Sequence, residues 1–183
     1  DNFLTVLVTF FVGVGSLGLY TYISVVLERV QVDTIPGMWI WGIGGAVGAF
    51  GIGRVLDKVD SSRKLTTIII VLLAADFALL LLFPSSRMVA LVCLFAWGLL
   101  GWSSMAPQQH SMLSANPDEG ATAVAANASA NYLGSAVGSA VGGLFLPSST
   151  GILLGALFVV LLGIVCSIGA RALSFLKHRD NEN

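Results

Sequence analysis

Six apolar stretches, 3–27, 36–55, 65–83, 88–105, 121–146 and 152–176, take up nearly all of the 183 residues and leave only short polar connectors. Each approaches or exceeds the roughly 20 residues that an α-helix needs to cross the hydrocarbon core of a bilayer. Lipid offers no water to backbone amides, so a lone spanning segment has to close its own hydrogen bonds as a helix. The expectation is an all-α integral membrane fold, with six transmembrane helices forming one domain over 1–183. Charged residues are only 10% of the chain, where a soluble domain carries about a quarter. A formal net charge of −1 gives no electrostatic footprint for nucleic acid.

The polar residues exclude several kinds of chemistry. Cys93 and Cys166 both fall inside apolar stretches, where a thiol acts as a small packing group. No cluster of His, Cys and acids suggests a metal or another cofactor, and His110 and His178 lie near span ends, so both read as solvated. An intramembrane hydrolase would need a histidine at depth, so no enzyme is expected. No basic segment precedes the first stretch, which is therefore not a signal peptide; its abrupt start predicts a piece of a longer chain. Six spans put both termini and the second and fourth connectors on one side. That side holds Arg54, Lys58, Arg63, Lys64, Arg171, Lys177 and Arg179, and the other holds Arg29 and Arg87. Basic residues favour the cytoplasmic side, so both termini are expected there, in a multi-pass cell-membrane protein.

The spans differ in character. The first carries Thr9, Gly13, Ser16 and Tyr20 at steps of four, three and four, followed by Thr21, Tyr22 and Ser24; the fourth carries Trp97, Gly101, Ser104 and Gln108. Such stripes line either an aqueous path or a packing seam. The second and fifth are rich in small residues: Gly45, Ala49 and Gly53 in one, Ala126, Ala130, Gly134, Gly138 and Gly142 in the other, with Asn127 and Asn131 alongside. Small rows let helix backbones approach closely and suit an interface with a second bundle. The third and sixth are plain and read as lipid-facing, apart from Asp76, an acid at depth in the third. An intramembrane carboxylate is a candidate proton carrier, and a structural acid is the alternative. Striped, small and plain recur in that order in each half, as inverted three-helix repeats would give. Trp39 and Trp41, near the outer end of the second span, suit the aromatic belt.

The connector after the second span runs Gly53-Arg54-Val55-Leu56-Asp57-Lys58 and on to Arg63-Lys64. It resembles the cytoplasmic signature loop of the major facilitator superfamily, with Asp60 where that pattern has its second glycine. Physically, Gly53 would allow close packing and Asp57 would accept hydrogen bonds at a neighbouring helix N-terminus. Tyr20-Thr21-Tyr22-Ile23, Trp97-Gly98 followed by Pro107-Gln108-Gln109, and Asn127 through Gly134 to Gly142-Gly143 are similar to segments of the drug/proton antiporter and sugar-efflux branch. The resemblance is to the C-terminal six-helix domain. It implies a missing N-terminal six-helix half as partner, a bilayer such as the bacterial inner membrane, and efflux of a small organic solute by alternating access, coupled to protons. It also implies cavity contacts from Thr9, Tyr20, Tyr22, Trp97, Trp102 and Gln108, and an interface or substrate role for Asn127, Asn131, Gly134 and Gly138. Asp76 is the coupling candidate. An isolated half could pair with itself. The alternatives are a self-sufficient oligomeric six-helix channel or a structural membrane subunit.

Overall fold

The computed structural model describes the backbone of residues 2–181 and side chains as far as Leu173, so the side chains of Lys177, His178 and Arg179 lie outside the described residues. The described residues form helices and connecting turns without strands. In chain order they are α1 (Asn2–Val12), a π-helical turn (Gly13–Leu17), α2 (Gly18–Tyr20), α3 (Ile23–Arg29), α4 (Thr34–Leu56), α5 (Ser62–Leu82), α6 (Arg87–Ser103), α7 (Met105–Ala115), α8 (Gly120–Gly142), a 3-10 turn (Gly143–Phe145) and α9 (Ser149–Asn181). Among the described residues, five stretches are long and apolar enough to cross a membrane: Asn2–Tyr20, Thr34–Leu56, Ser62–Leu82, Arg87–Ala115 and Ser149–Leu173. The expected fifth span, 121–146, corresponds to α8 and is not among these five. It matches α4 in length at 23 residues, but Ala, Gly, Ser and Asn fill most of it and leave it less apolar than the five.

The helices run alternately up and down. At one end the Asn2 amide donates to Asn116 Oδ1 at 2.7 Å, and the Ser62 and Ser111 hydroxyls meet at 2.8 Å. At the other end Arg29 donates to the Thr150 hydroxyl at 2.5 Å and to the Leu81 carbonyl at 3.4 Å, tying α3 to the start of α9 and the end of α5. Helix ends follow from local chemistry. Ser61 caps α5 by accepting from the Lys64 amide, Ser86 caps α6 by accepting from that of Val89, and Pro84 lies just past the end of α5. The fourth span breaks at Ser104 because Pro107, three residues on, has no N–H to give and crowds the Ser103 carbonyl.

The first span departs most from expectation. It does not run on as one helix to residue 27: Tyr22 leaves the helical region at φ −107°, ψ 21°, and α3 restarts behind it. Within the span, the Gly18 N–H reaches back to the Gly13 carbonyl. Each such i→i+5 bond takes up one residue more than an α-turn, so the polar stripe that is straight in sequence is re-phased. Thr9 below the π-turn faces α7 and α8, whereas Ser16 and Tyr20 face α6 and α4.

Packing relies on glycine at the α4–α6 crossing. A Cβ on Gly44 or Gly48 would run into the Phe95 or Leu99 carbonyl, and one on Gly98 into that of Trp41. Close backbone approach of this kind is how helices gain contact where lipid removes the hydrophobic drive. Beneath the crossing lies an aromatic cluster. Tyr20 stacks on Trp41 at 4.1 Å, and Trp97 meets Trp41 and Phe77 edge-on at 5.9 and 5.8 Å. Trp41 is thus a core residue rather than a belt residue, while Trp39 is 69% exposed. The plain third span is also more central than its composition suggests. α5 buries Leu65, Ile69, Ile70, Leu73, Phe77 and Leu80 against its neighbours and turns Ile68, Val71, Leu72, Leu79 and Leu82 outward.

Candidate functional site

Midway along the bundle, the π-turn opens a pocket. Its walls are Val12, Ser16 and Leu17 of the first span, Trp41 of α4, Gly101, Trp102 and Met105 around the α6–α7 break, and Asn131 and Tyr132 of α8. Its cavity volume is about 90 Å³, and its lining carries no side chain that is charged at neutral pH. Trp102 and Tyr132 keep 43% and 70% of their surface exposed, whereas Ser16 and Asn131 are buried. Ser16 is already engaged, accepting from Trp97 Nε1 at 3.1 Å. The Trp41 Nε1–H is buried and has no hydrogen-bond partner among the described residues. An orphaned donor of this kind costs about 1–3 kcal/mol, so it calls for a specific reason.

Towards the end that holds Asn2, a polar knot closes the space between α1, α7 and α8. The Thr9 hydroxyl bonds to Gln108 Oε1 and to Asn127 Oδ1, the latter at 2.6 Å, with the Thr5 carbonyl at 3.2 Å. One hydroxyl has a single proton and two lone pairs. The knot therefore closes when one of the two amides presents its NH₂ to Thr9 rather than its oxygen. All three side chains are at most 3% exposed. Thr9→Val is expected to lower stability by about 1–2 kcal/mol, since it strands two buried amides. Thr9→Ser should restore it, as thermal unfolding of the purified protein would read. Towards the opposite end the Tyr22 hydroxyl donates to the Ser139 carbonyl, and the Thr21 and Ser139 hydroxyls meet at 2.6 Å. The pocket is thus bounded along the first span by polar ties to α8 on either side.

A family model for the Major Facilitator Superfamily matches residues 1–139, three quarters of the chain. The chain belongs to the Major Facilitator Superfamily. Its members are transporters, and a bundle with an uncharged pocket between its helices agrees with that. No solved structure gives a significant match.

In this major facilitator chain the residues expected at the cavity divide into groups. Trp102 lines the pocket, and Tyr20 backs it through its stack on Trp41. Trp97 does not line it: at 0% exposure it is the centre of the aromatic cluster, and its indole N–H is spent on Ser16. Thr9 and Gln108 are held in the knot, and Tyr22 lies at the far tie, beside a separate apolar recess with Gly142 and Phe145. The expected interface row also turns the other way. Asn127, Asn131, Gly134 and Gly138 are the four buried residues of α8 and face the first span. A side chain on Gly134 or Gly138 would strike the Phe10 or Val14 carbonyl. The outward side of α8 is instead Ala125, Ala126, Ser129, Leu133, Ala136 and Ala140.

The signature loop lies at the end that holds Asn2 and Asn116. Gly53 faces open space, so it makes no close approach within this bundle. Asp57, Lys58 and Lys64 are exposed, and Arg63 is half-buried beside His110 and Ser111 under the connector. Asp76 stands on α5, 5% exposed, with the Cys93 thiol as hydrogen-bond donor and Oδ2 unpartnered among the described residues. It does not line the pocket. Sequence reasoning missed Trp41 and Tyr132. Trp41 had a signal, since it falls on the same buried face of α4 as Gly37, Gly44, Gly45 and Gly48; Tyr132 had none beyond its place beside Asn131.

Proposed function

We propose that this chain is the C-terminal six-helix half of a secondary active transporter that exports a small organic solute by alternating access, driven by protons. The observation that carries the reading is the uncharged, partly aromatic pocket walled by the first and fourth spans together with α4 and α8. In this reading α8 is the fifth of six spans, its low apolarity tolerated because its inward face is covered by the first span and its outward face by the N-terminal half. The two sets of three helices are inverted repeats, and the termini and the 57–61 connector are cytoplasmic. The small outward side chains of α8 make a smooth surface for rocking, and an isolated half would pair with itself there. In the branch it resembles, the drug/proton antiporters and sugar exporters, such a chain sits in the bacterial inner membrane.

The test is transport by the full-length protein in liposomes. Trp102→Ala is expected to lower solute flux at least tenfold while leaving the thermal transition in place, because Trp102 contributes exposed pocket wall and little core. Wild-type flux retained by that variant would remove the pocket from the mechanism. Asp76 remains the coupling candidate by its depth, but its place on α5 away from the pocket favours a packing role. Asp76→Asn keeps the shape and a hydrogen-bonding group for Cys93, so flux is expected to respond to an imposed proton gradient as before. A variant that transports yet ignores the gradient would assign coupling to Asp76.

A further inference from the structure

We infer that the bundle binds a water molecule at a node where four helices meet, behind the recess under the 57–61 connector. The inference goes beyond the transport reading and does not depend on it. The node is a cavity of about 20 Å³ lined by Thr5 of α1, Arg63 and Thr66 of α5, Ser111 of α7, and Ser167 and Ala170 of α9. On the same measure a water needs roughly 10–15 Å³, so the node has room for one and little more. Cavities that stay dry are walled by apolar groups. Here polar atoms form part of the surface, and Thr5, Thr66, Ser111 and Ser167 are each at most 7% exposed.

The hydrogen bonds around the node decide what fits it. Thr66 spends its one hydroxyl proton on the Ser62 carbonyl at 3.1 Å, and Thr67 spends its own on the Arg63 carbonyl at 2.9 Å. Ser167 is therefore the donor in its 2.8 Å contact with Thr67. With both protons committed, the Thr66 and Ser167 oxygens have only lone pairs left to offer. A halide would be repelled by those lone pairs, and a metal cation would face the Arg63 guanidinium on the same wall. Water donates to both oxygens and accepts from Ser111, which can give its proton when Ser62 supplies the one in their 2.8 Å pair. Outward, Arg63 and Ser111 also wall the larger recess of about 360 Å³ beside His110 and Ser114. Inward, Thr9 stands one helical turn above Thr5, so the polar knot lies between this water and the pocket.

The test is X-ray radiolysis of the full-length protein in nanodiscs, read residue by residue by mass spectrometry. Ionised water forms hydroxyl radical in place and oxidises the side chains that it touches. Val8 lines the node and is 2% exposed; Val160, an equally buried valine at 0%, does not line it. Val8 is expected to oxidise about tenfold faster than Val160. Ala170→Val fills the node from α9 and should bring Val8 down to the Val160 rate with the thermal transition kept. Ser167→Val fills the same space as a second variant and strands nothing, because the Thr67 proton stays on the Arg63 carbonyl. Equal rates for Val8 and Val160 in the wild type would mean a dry node and overturn the inference without any variant. A fast Val8 rate that persists in both filled variants overturns it too, since radicals would then reach Val8 by another route.

Discussion

Trp97→Ala should give the largest loss of stability of any single truncation in this bundle. The side chain is fully buried and touches Tyr20, Trp41 and Phe77, and its indole N–H donates to Ser16 at 3.1 Å. Truncating a buried Trp in a soluble core costs about 3–5 kcal/mol. In lipid the water-transfer part of that figure falls away, because acyl chains are as apolar as the core. What remains is lost dispersion contact and an unfilled space, so the expected cost is at the low end, about 3 kcal/mol. Trp97→Phe should recover most of it, lacking only the bond to Ser16. Thermal or denaturant unfolding in mild detergent would read the series. A Trp97→Ala protein as stable as wild type would mean that the ring sits in an adaptable cavity rather than in the core.

Gly138→Leu is the second large effect, and it acts by overfilling. The Cβ of any larger residue would point at the Val14 carbonyl and lie 2.9 Å from the Gly18 Cα. These are backbone atoms and cannot swing aside. Overpacking typically costs about 1–3 kcal/mol, and the upper end applies here because α8 and the first span must separate. Their separation would also break the ties of Thr21 and Tyr22 to Ser139. Ala136→Leu is the control. Ala136 is two residues away but on the outward side of α8, so the domain should keep its thermal transition. If the outward side meets the N-terminal half as proposed, the same variant should slow transport.

The contrast between Gly138 and Ala136 shows where sequence reading works and where it stops. Long apolar runs bounded by Ser61, Ser86 and Pro84 locate helices well, since nothing else satisfies a backbone in lipid. The stripe of Thr9, Ser16 and Tyr20 was legible as polar, and so was the separateness of Asp76. The inward face of α8 was not. Its small residues go all the way round, and rows drawn at strict steps of four wind away from any one neighbour. The stripe that is buried, Asn127, Asn131, Gly134 and Gly138, steps by four, three and four, as a 3.6-residue period requires. Belt and core roles for a tryptophan could be told apart only by the glycine face, because Trp39 and Trp41 both sit near a span end and Trp41 alone shares that face. The π-turn left no signature at all: glycines permit it, but only the packing of Asn131 against Gly13 and of Ala156 against Gly15 makes it visible.

That π-turn affects how this chain can be compared with others. A bulge of one residue in a helix is equivalent to a one-residue insertion, and Gly13–Leu17 contains it without lengthening the flanking polar pattern. Any ungapped alignment with a relative whose first span is a regular α-helix will pair either Thr9 or Ser16 with its structural counterpart, never both. The gap belongs inside 13–17. Placing it there decides whether residues upstream, including the knot, are matched with the right positions or with their neighbours one step round the helix.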